Sequence, residues 1–127
     1  LGYTGRRFNP WPYFTRLVVG LANGQINVYN IIDDSFTLEI TLSHSLSVNS
    51  ILAPLERNDE FISCSDDGRI RIWNISQSTP LKDLVLGTAV HAIDYQNDNI
   101  ISGGVLQSLY WWQNTGVLTY STQEFMT

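Results

Sequence analysis

Apolar and polar residues alternate along two short segments of the chain. Residues 25–29 and 69–73 place an apolar, mostly β-branched side chain at every second position. This period of two is typical of a β-strand whose two faces meet different surroundings. Asn23-Gly24 and Asp67-Gly68 stand directly before these segments, and such pairs favour two-residue hairpin turns because both positions tolerate positive φ. The pattern predicts that each segment is the second strand of a hairpin.

Further short strands follow these hairpins. Residues 37–42, 81–86 and 117–120 are short, mostly apolar or β-branched segments that come after a loop in each case. No apolar stripe with helical spacing runs for a useful length. The chain has 127 residues, with 43% hydrophobic and 15% charged, so it is long enough and apolar enough for one folded domain. The pattern predicts an all-β fold.

The same pattern recurs three times. Residues 8–30 align with residues 52–74 at a constant shift of 44, without a gap. A looser third copy covers residues 90–93 and 100–113. Each copy has room for four strands with short turns, and a period near 40 residues is typical of the blades of a β-propeller. We therefore expect three four-stranded antiparallel blades in residues 1–42, 43–86 and 87–127.

The middle copy resembles a WD repeat. "SHSLSVNSI", residues 43–51, is similar to the Gly-His segment that opens such a repeat, with Ser43 in place of the usual glycine. "SCSDDGRIRIWN", residues 63–74, resembles the closing segment, with Asn74 in place of the usual aspartate. The resemblance to the WD-repeat family covers residues 8–120, and its motifs are most specific in the middle copy.

This resemblance implies a buried hydrogen-bonded set of four side chains within one blade. Carried over residue by residue, the set is His44, Ser63, Asp67 and Trp73. The chemistry suits it, because a carboxylate only accepts, an indole N–H only donates, and histidine and serine do both. A buried charge is costly unless its partners are present, so a complete set would fix the geometry of the blade.

A hydrolase site is the rival interpretation of a histidine, a serine and an aspartate. Ser63 lies in the middle of a predicted strand, without the sharp turn that exposes a nucleophile. The adjacent acids Asp66 and Asp67 have no second ligand at metal-binding spacing, and Cys64 and the two histidines lack the spacing of a zinc site. We expect no catalytic residue, no metal and no cofactor.

The outer copies depart from the four-residue pattern. In the first, Asn23 and Tyr29 stand where the middle copy has Asp67 and Trp73, and in the third Leu106 stands at the aspartate position. We expect these two blades to lack the network, although the third retains Ser102. We expect them to be held by aromatic packing, in which the third copy would use Tyr110, Trp111 and Trp112. The prolines of "NPWP", residues 9–12, favour a loop tip or a sheet edge.

Three blades are too few for a closed ring, since propellers have four to eight. The first copy begins where its innermost strand should already be running, and the chain has no initiator methionine. We therefore expect a part of a larger propeller, whose end blades would expose apolar sheet faces if they stood alone.

Charge narrows the class of partner. Residues 1–16 carry three arginines and no acid, but residues 17–127 have a net charge of −8. A net-negative body repels a phosphate backbone, so nucleic acid is not expected as the main ligand, even though the basic, aromatic start allows base stacking. No apolar stretch is long enough to span a membrane. The single cysteine fits a reducing compartment, so we expect an intracellular protein of the cytoplasm or nucleus.

The expected function is a non-catalytic scaffold for protein–protein interaction within a larger protein or complex. The alternative is a regulatory or substrate-docking propeller domain of a larger multidomain enzyme. The resemblance implies that a protein or peptide partner binds the narrow top face, where the innermost strands begin. The residues expected on this face are Ser47, Asn49, Asp66, His91, Ala89, Val105 and Ala22. We expect Asn49, Asp66 and His91 to be among the main contacts, with a basic or polar ligand segment.

Overall fold

The computed structural model describes the backbone of residues 3–8, 16–53, 59–96, 99–104, 109–113 and 118–122. Side chains are described for residues 16–53, 59–95 and 99–104. The described residues form β-strands and the turns between them, and contain no helix. The expectation of an all-β chain with antiparallel sheets is confirmed.

Twelve strands form three four-stranded sheets, in which strands that are consecutive in the chain lie side by side. Sheet one consists of β1 (Tyr3–Phe8), β2 (Arg16–Leu21), β3 (Gln25–Ile32) and β4 (Ser35–Ser43). Sheet two consists of β5 (Val48–Leu52), β6 (Glu60–Ser65), β7 (Arg69–Asn74) and β8 (Lys82–Val85). Sheet three consists of β9 (Val90–Gln96), β10 (Asn99–Gly104), β11 (Leu109–Gln113) and β12 (Leu118–Thr122).

The sheets pack face to face through their first and second strands. β1 lies beside β5 and β5 beside β9, while β2 also contacts β5 and β6 contacts β9. Every pair within a sheet is antiparallel, so the end at which the first strand begins is also the end at which the second strand finishes. This topology gathers the turns between second and third strands at one end of each sheet, which we call the upper end.

The turns between second and third strands differ from the expected two-residue type. The amide of Gly24 donates to the carbonyl of Leu21 over 3.1 Å, and the amide of Gly68 donates to Ser65 over 3.2 Å. Only the glycines have positive φ, at 95° and 81°. The prediction that both residues of each pair occupy that region was therefore wrong. A four-residue turn whose last residue is a left-handed glycine joins the strands, a common way to build a three-residue hairpin loop.

A true two-residue turn occurs between β3 and β4, at a position without glycine. Asp33 and Asp34 both have positive φ, at 49° and 65°, and join β3 to β4 with Ile32 paired to Ser35. Aspartate tolerates this conformation better than most residues because its short side chain bonds locally.

Sheet two has both faces buried, which explains the unbroken burial along β6. On one face, Phe61 and Trp73 are paired neighbours that pack against sheet one. On the other face, Ile62, paired with Ile72, packs toward sheet three. The buried residues between sheets one and two are Val18, Ile26, Val28, Leu42, Val48, Ile51, Ala53, Phe61, Trp73 and Ile75. Those between sheets two and three are Ile62, Cys64, Ile70, Ile72, Leu84, Val90 and Ile100.

The first sheet is complete, contrary to expectation. β1 pairs with β2 along six residues, from Tyr3 opposite Leu21 to Phe8 opposite Arg16, so the innermost strand is present. The predicted strand at residues 37–42 begins earlier and ends later, as Ser35–Ser43, which takes sheet one a residue past its expected boundary. Residues 9–12 and Leu106 lie outside the described residues, as do the side chains of Tyr110, Trp111 and Trp112.

Candidate functional site

His44 is placed by the turn of the preceding sheet. It follows β4 directly, and its amide donates to the carbonyl of Gly24 over 2.8 Å. A Cβ on Gly24 would collide with the carbonyl oxygen of His44, so the turn of sheet one and the connection into sheet two fit together only with glycine there. The imidazole of His44 is fully buried.

Four side chains at sheet two are connected in series by hydrogen bonds. The indole N–H of Trp73 donates to Ser63 Oγ over 2.8 Å. Ser63 Oγ lies 2.6 Å from Nε2 of His44, and Nδ1 of His44 lies 2.9 Å from Oδ2 of Asp67. These are the four residues that the family resemblance implied.

Hydrogen bonding and burial together assign the protonation of His44. The carboxylate of Asp67 can only accept, so Nδ1 of His44 carries hydrogen and donates to it. Burial lowers the pKa of His44 below its ordinary value, against the attraction of Asp67, so the imidazole is neutral and Nε2 carries no hydrogen. Nε2 therefore accepts from the hydroxyl of Ser63, whose oxygen in turn accepts from the indole of Trp73.

Asp67 is ionised and is the last member of the hydrogen-bonded series. Burial alone would raise the pKa of Asp67, but His44 and the amides of Ser45 and Arg69 lower it below the ordinary range. The amide of Ser45 donates to Oδ2 over 3.1 Å, and the amide of Arg69 to Oδ1 over 3.0 Å. The side chain of Asp67 is only 4% exposed, and these donors replace the water it loses.

Arg71 is a member of this region that the sequence analysis did not single out. Its guanidinium lies 5.8 Å from the centre of the Trp73 ring and donates to the carbonyl of Ser43 over 2.7 Å. It also bonds both carboxylate oxygens of Asp83. The alternation in β7 marks Arg71 as a polar position, but only the packing of β4 against sheet two brings Ser43 within its reach.

Ser63 has no freedom to act as a nucleophile in this arrangement. The residue is fully buried, and its oxygen accepts from Trp73 while bonding His44. A nucleophilic serine must meet its substrate with an exposed oxygen. Among the side chains that the structure describes, no three histidine, cysteine, aspartate or glutamate residues group closely enough to hold a metal ion.

A second cluster lies at the upper end, where sheets two and three meet. Nδ2 of Asn49 donates to Oδ1 of Asp66 and to the carbonyl oxygen of Val90, both over 2.8 Å. Nε2 of His91 lies 3.9 Å from the same oxygen of Asp66. The side chains of Asp66 and His91 are 43% and 55% exposed. We call Asn49, Asp66 and His91 the upper cluster.

The other residues expected on this face lie around the same end. The carbonyl of Ser47 accepts from the amide of Asp66 over 3.0 Å. Ala89 immediately precedes β9 and lies beside Gly104, while Ala22 occupies the turn of sheet one, without a described contact to the upper cluster. Val105 lies outside the described residues.

Among the side chains that the structure describes, the four-residue network occurs in sheet two. In sheet one, Val19 stands at the position of Ser63, and the hydroxyl of Tyr29 accepts from Nδ2 of Asn27 over 3.3 Å. In sheet three, Ser102 is buried, and Leu86 stands four residues before Val90, where sheet two has His44 four residues before Val48.

Comparison with known proteins identifies a fold but no family. No protein-family model matches the sequence, and no curated protein matches it. Among solved structures, the computationally designed protein Ika8 has a TM-score of 0.76 at 21% identity over 87% of this chain. A chain of the mitotic checkpoint complex has a TM-score of 0.76 at 20% identity over 89% of this chain. The chain spans only 34% and 36% of those two chains. At this identity the likeness shows a shared fold alone.

In the part of the chain that the structure describes, no helix is long and apolar enough to cross a membrane.

Proposed function

We propose that these residues are three consecutive blades of a larger WD-repeat β-propeller that acts as a non-catalytic protein-interaction scaffold. Three features support the propeller. Each sheet has four antiparallel strands in meander order, neighbouring sheets pack through their first strands, and this chain spans only 34% and 36% of the two solved chains that share the fold. The network of His44, Ser63, Asp67 and Trp73 supports the family, because it joins the four residues that the resemblance implies.

The observation that carries the binding proposal is the upper cluster. Asn49 comes from β5, Asp66 from the turn after β6 and His91 from β9, so the cluster spans the seam between two sheets. Asp66 and Asp67 are neighbours in one turn, but the side chain of Asp67 is buried whereas that of Asp66 faces solvent. The buried network holds the turn in place, and the exposed carboxylate is thereby pre-positioned for a ligand.

The partner is proposed to be a protein or peptide segment that carries basic or polar side chains. The exposed carboxylate of Asp66 is the anionic group of the cluster, and residues 17–127 are net negative. Association through exposed charges weakens as salt screens them, with a Debye length of about 8 Å at physiological ionic strength.

The test separates binding from folding. Asp66→Lys with His91→Ala is expected to abolish capture of the protein's partner in a pull-down, while the circular dichroism spectrum is unchanged. Asn49 is left intact in this variant, because its second hydrogen bond supports Val90. Asp94→Lys is the matched control, since Asp94 is an exposed acid within β9 that lies outside the cluster. Undiminished binding by the folded double variant would remove the upper cluster from the account.

A further inference from the structure

Arg71 connects sheet two to the last residue of sheet one. It pairs with Ser63 across β6 and β7, so its side chain lies on the same face of sheet two as those of Ser63 and Trp73, the face turned toward sheet one. Nη1 of Arg71 donates to the carbonyl of Ser43, at the end of β4, over 2.7 Å. The guanidinium lies 5.8 Å from the centre of the Trp73 ring. One side chain of β7 therefore contacts both the buried network and the strand that leads into it.

Asp83 fixes the orientation of this guanidinium. Nε and Nη2 of Arg71 donate to Oδ1 and Oδ2 of Asp83 over 3.3 and 3.4 Å. Arg69 donates to Oδ2 of the same carboxylate over 2.6 Å, so Asp83 itself has partners on two sides. A planar guanidinium that is held along one edge presents its remaining donor in one direction. Arg71 can therefore set the position of the backbone carbonyl that it bonds.

Ser43 begins the segment that leads from sheet one into sheet two. We call residues 43–47 the connecting segment. His44, the next residue, places its imidazole in the buried network. The amide of Ser45 donates to the carboxylate of Asp67, another member of that network, over 3.1 Å. A shift of Ser43 would therefore displace the side chain of His44 and a donor to Asp67.

The connecting segment also bonds the turn that carries Asp66. The carbonyl of Leu46 accepts from the hydroxyl of Ser65 over 3.0 Å, and Ser65 is fully buried. The carbonyl of Ser47 accepts from the amide of Asp66 over 3.0 Å. Each residue of the connecting segment is thus hydrogen-bonded, and the last of them bonds the backbone of Asp66. The position of this acidic residue depends on that of the connecting segment.

We propose that Arg71 is a positioning residue of the upper cluster. It holds the connecting segment against the turn, so that the carboxylate of Asp66 is presented in one orientation. No described contact joins Arg71 to the upper cluster itself, so it acts through the connecting segment. Its consequence for binding rests on the proposed function, whereas the positioning does not. An exposed ion pair between Arg71 and Asp83 alone would contribute little, but a charged donor to a backbone carbonyl forms a stronger hydrogen bond.

Site-resolved hydrogen exchange of the whole protein measures this positioning. The amides of His44, Ser45 and Asp66 each donate within the region that Arg71 is proposed to hold. The amide of Ile75 donates to the carbonyl of Asp59 at the opposite end of sheet two, so it reports general loosening instead. Protection of an amide against exchange measures the free energy of its local opening. A local role and a general one therefore give different patterns.

Three variants separate the contributions. Arg71→Met removes the guanidinium and keeps an unbranched side chain next to Trp73, and it is expected to speed exchange at the three amides about tenfold while that of Ile75 is unchanged. Arg71→Lys retains a charged donor and is expected to be intermediate. Arg69→Met is the matched control, because Arg69 also bonds Asp83 and its side chain has no described contact with the connecting segment. This control is expected to leave all four amides unchanged.

Four results would overturn the proposal. They are unchanged exchange at the three amides in Arg71→Met, an equal increase at Ile75, equal effects of Arg69→Met and Arg71→Met, and exchange in Arg71→Lys as fast as in Arg71→Met.

Binding is then measured separately. Arg71→Met is expected to weaken capture of the partner in the pull-down, and undiminished capture despite faster exchange would show that binding does not need this positioning. The exchange measurements use no partner, so they do not depend on the proposed function. That function is decided by the variant with Asp66→Lys and His91→Ala.

Discussion

Replacing Asp67 by alanine tests the buried network most simply. Its carboxylate accepts from Nδ1 of His44 and from the amides of Ser45 and Arg69. In the variant, water can reach the amides of exposed Ser45 and half-buried Arg69. The imidazole of His44 is fully buried, so its Nδ1 would lose its acceptor. A buried donor left without a partner costs about 1–3 kcal/mol, so Asp67→Ala is expected to lower the free energy of unfolding by that amount.

The adjacent residue supplies the control. Asp66→Ala removes a carboxylate from the same turn, but this carboxylate is 43% exposed and accepts from Asn49 at the surface. Its loss should cost no more than about 1 kcal/mol. Equilibrium unfolding in urea, followed by tryptophan fluorescence, compares both variants with the parent protein, and equal slopes against denaturant show that the same transition is being compared.

Two outcomes decide the interpretation. Variants that agree within about 0.5 kcal/mol, the scatter of ordinary surface substitutions, would refute the reasoning. The losses from Asp67→Ala and His44→Phe are expected to be less than additive in the double variant, because either substitution alone already breaks the hydrogen bond between the two residues. Additive losses in this double variant would show that the two residues do not interact energetically.

Three further predictions follow from the same geometry. Burial keeps the pKa of His44 below its ordinary value, so the unfolded chain takes up a proton first as pH falls below about 6.5. The free energy of unfolding should then fall by up to about 1.4 kcal/mol per pH unit. Urea titrations across this range should show the full decrease in His91→Ala and a much smaller decrease in His44→Phe. Gly24→Ala should destabilise the chain by about 1–3 kcal/mol more than Gly87→Ala in thermal melts, since both glycines have positive φ but only at Gly24 would the added Cβ meet a backbone carbonyl. Burial raises the pKa of Cys64 to about 12, so a thiol reagent at pH 8 should leave the native protein unmodified and react in urea; rapid labelling of the native protein would contradict the buried position.

Local signals in the sequence were sufficient for the strands and for the repeat. Residues 25–29 and 69–73 both lie in strands, and Gly24 and Gly68 mark the turns, because alternation and glycine act over a few residues. The turn type was wrong because a pair such as Asn23-Gly24 fits more than one hairpin loop, and the strand register decides between them. The turn at Asp33 and Asp34 was not predicted because it contains no glycine.

Contacts between sheets were the part that the sequence could not supply. The role of Asn49 depends on the carbonyl of Val90, which is 41 residues away, and that of Arg71 depends on the carbonyl of Ser43. Every residue has a backbone carbonyl that can accept a hydrogen bond whatever its side chain, so no pattern in the sequence identifies which carbonyl is used. The family resemblance succeeded with His44 and Asp67 because it carries positional information that local patterns lack.

We propose that these three sheets are blades of a larger ring, and sedimentation velocity of residues 1–127 expressed alone, combined with a thermal melt, is the decisive test. In sheet one, Leu17 lies opposite Tyr29 and Val19 opposite Asn27, on the face turned away from the buried core that Val18 and Val28 enter. Neither of the other two described sheets packs on that face, so the isolated segment is expected to self-associate or to unfold over a broad range of temperature. A monomer with one sharp two-state transition would contradict the claim.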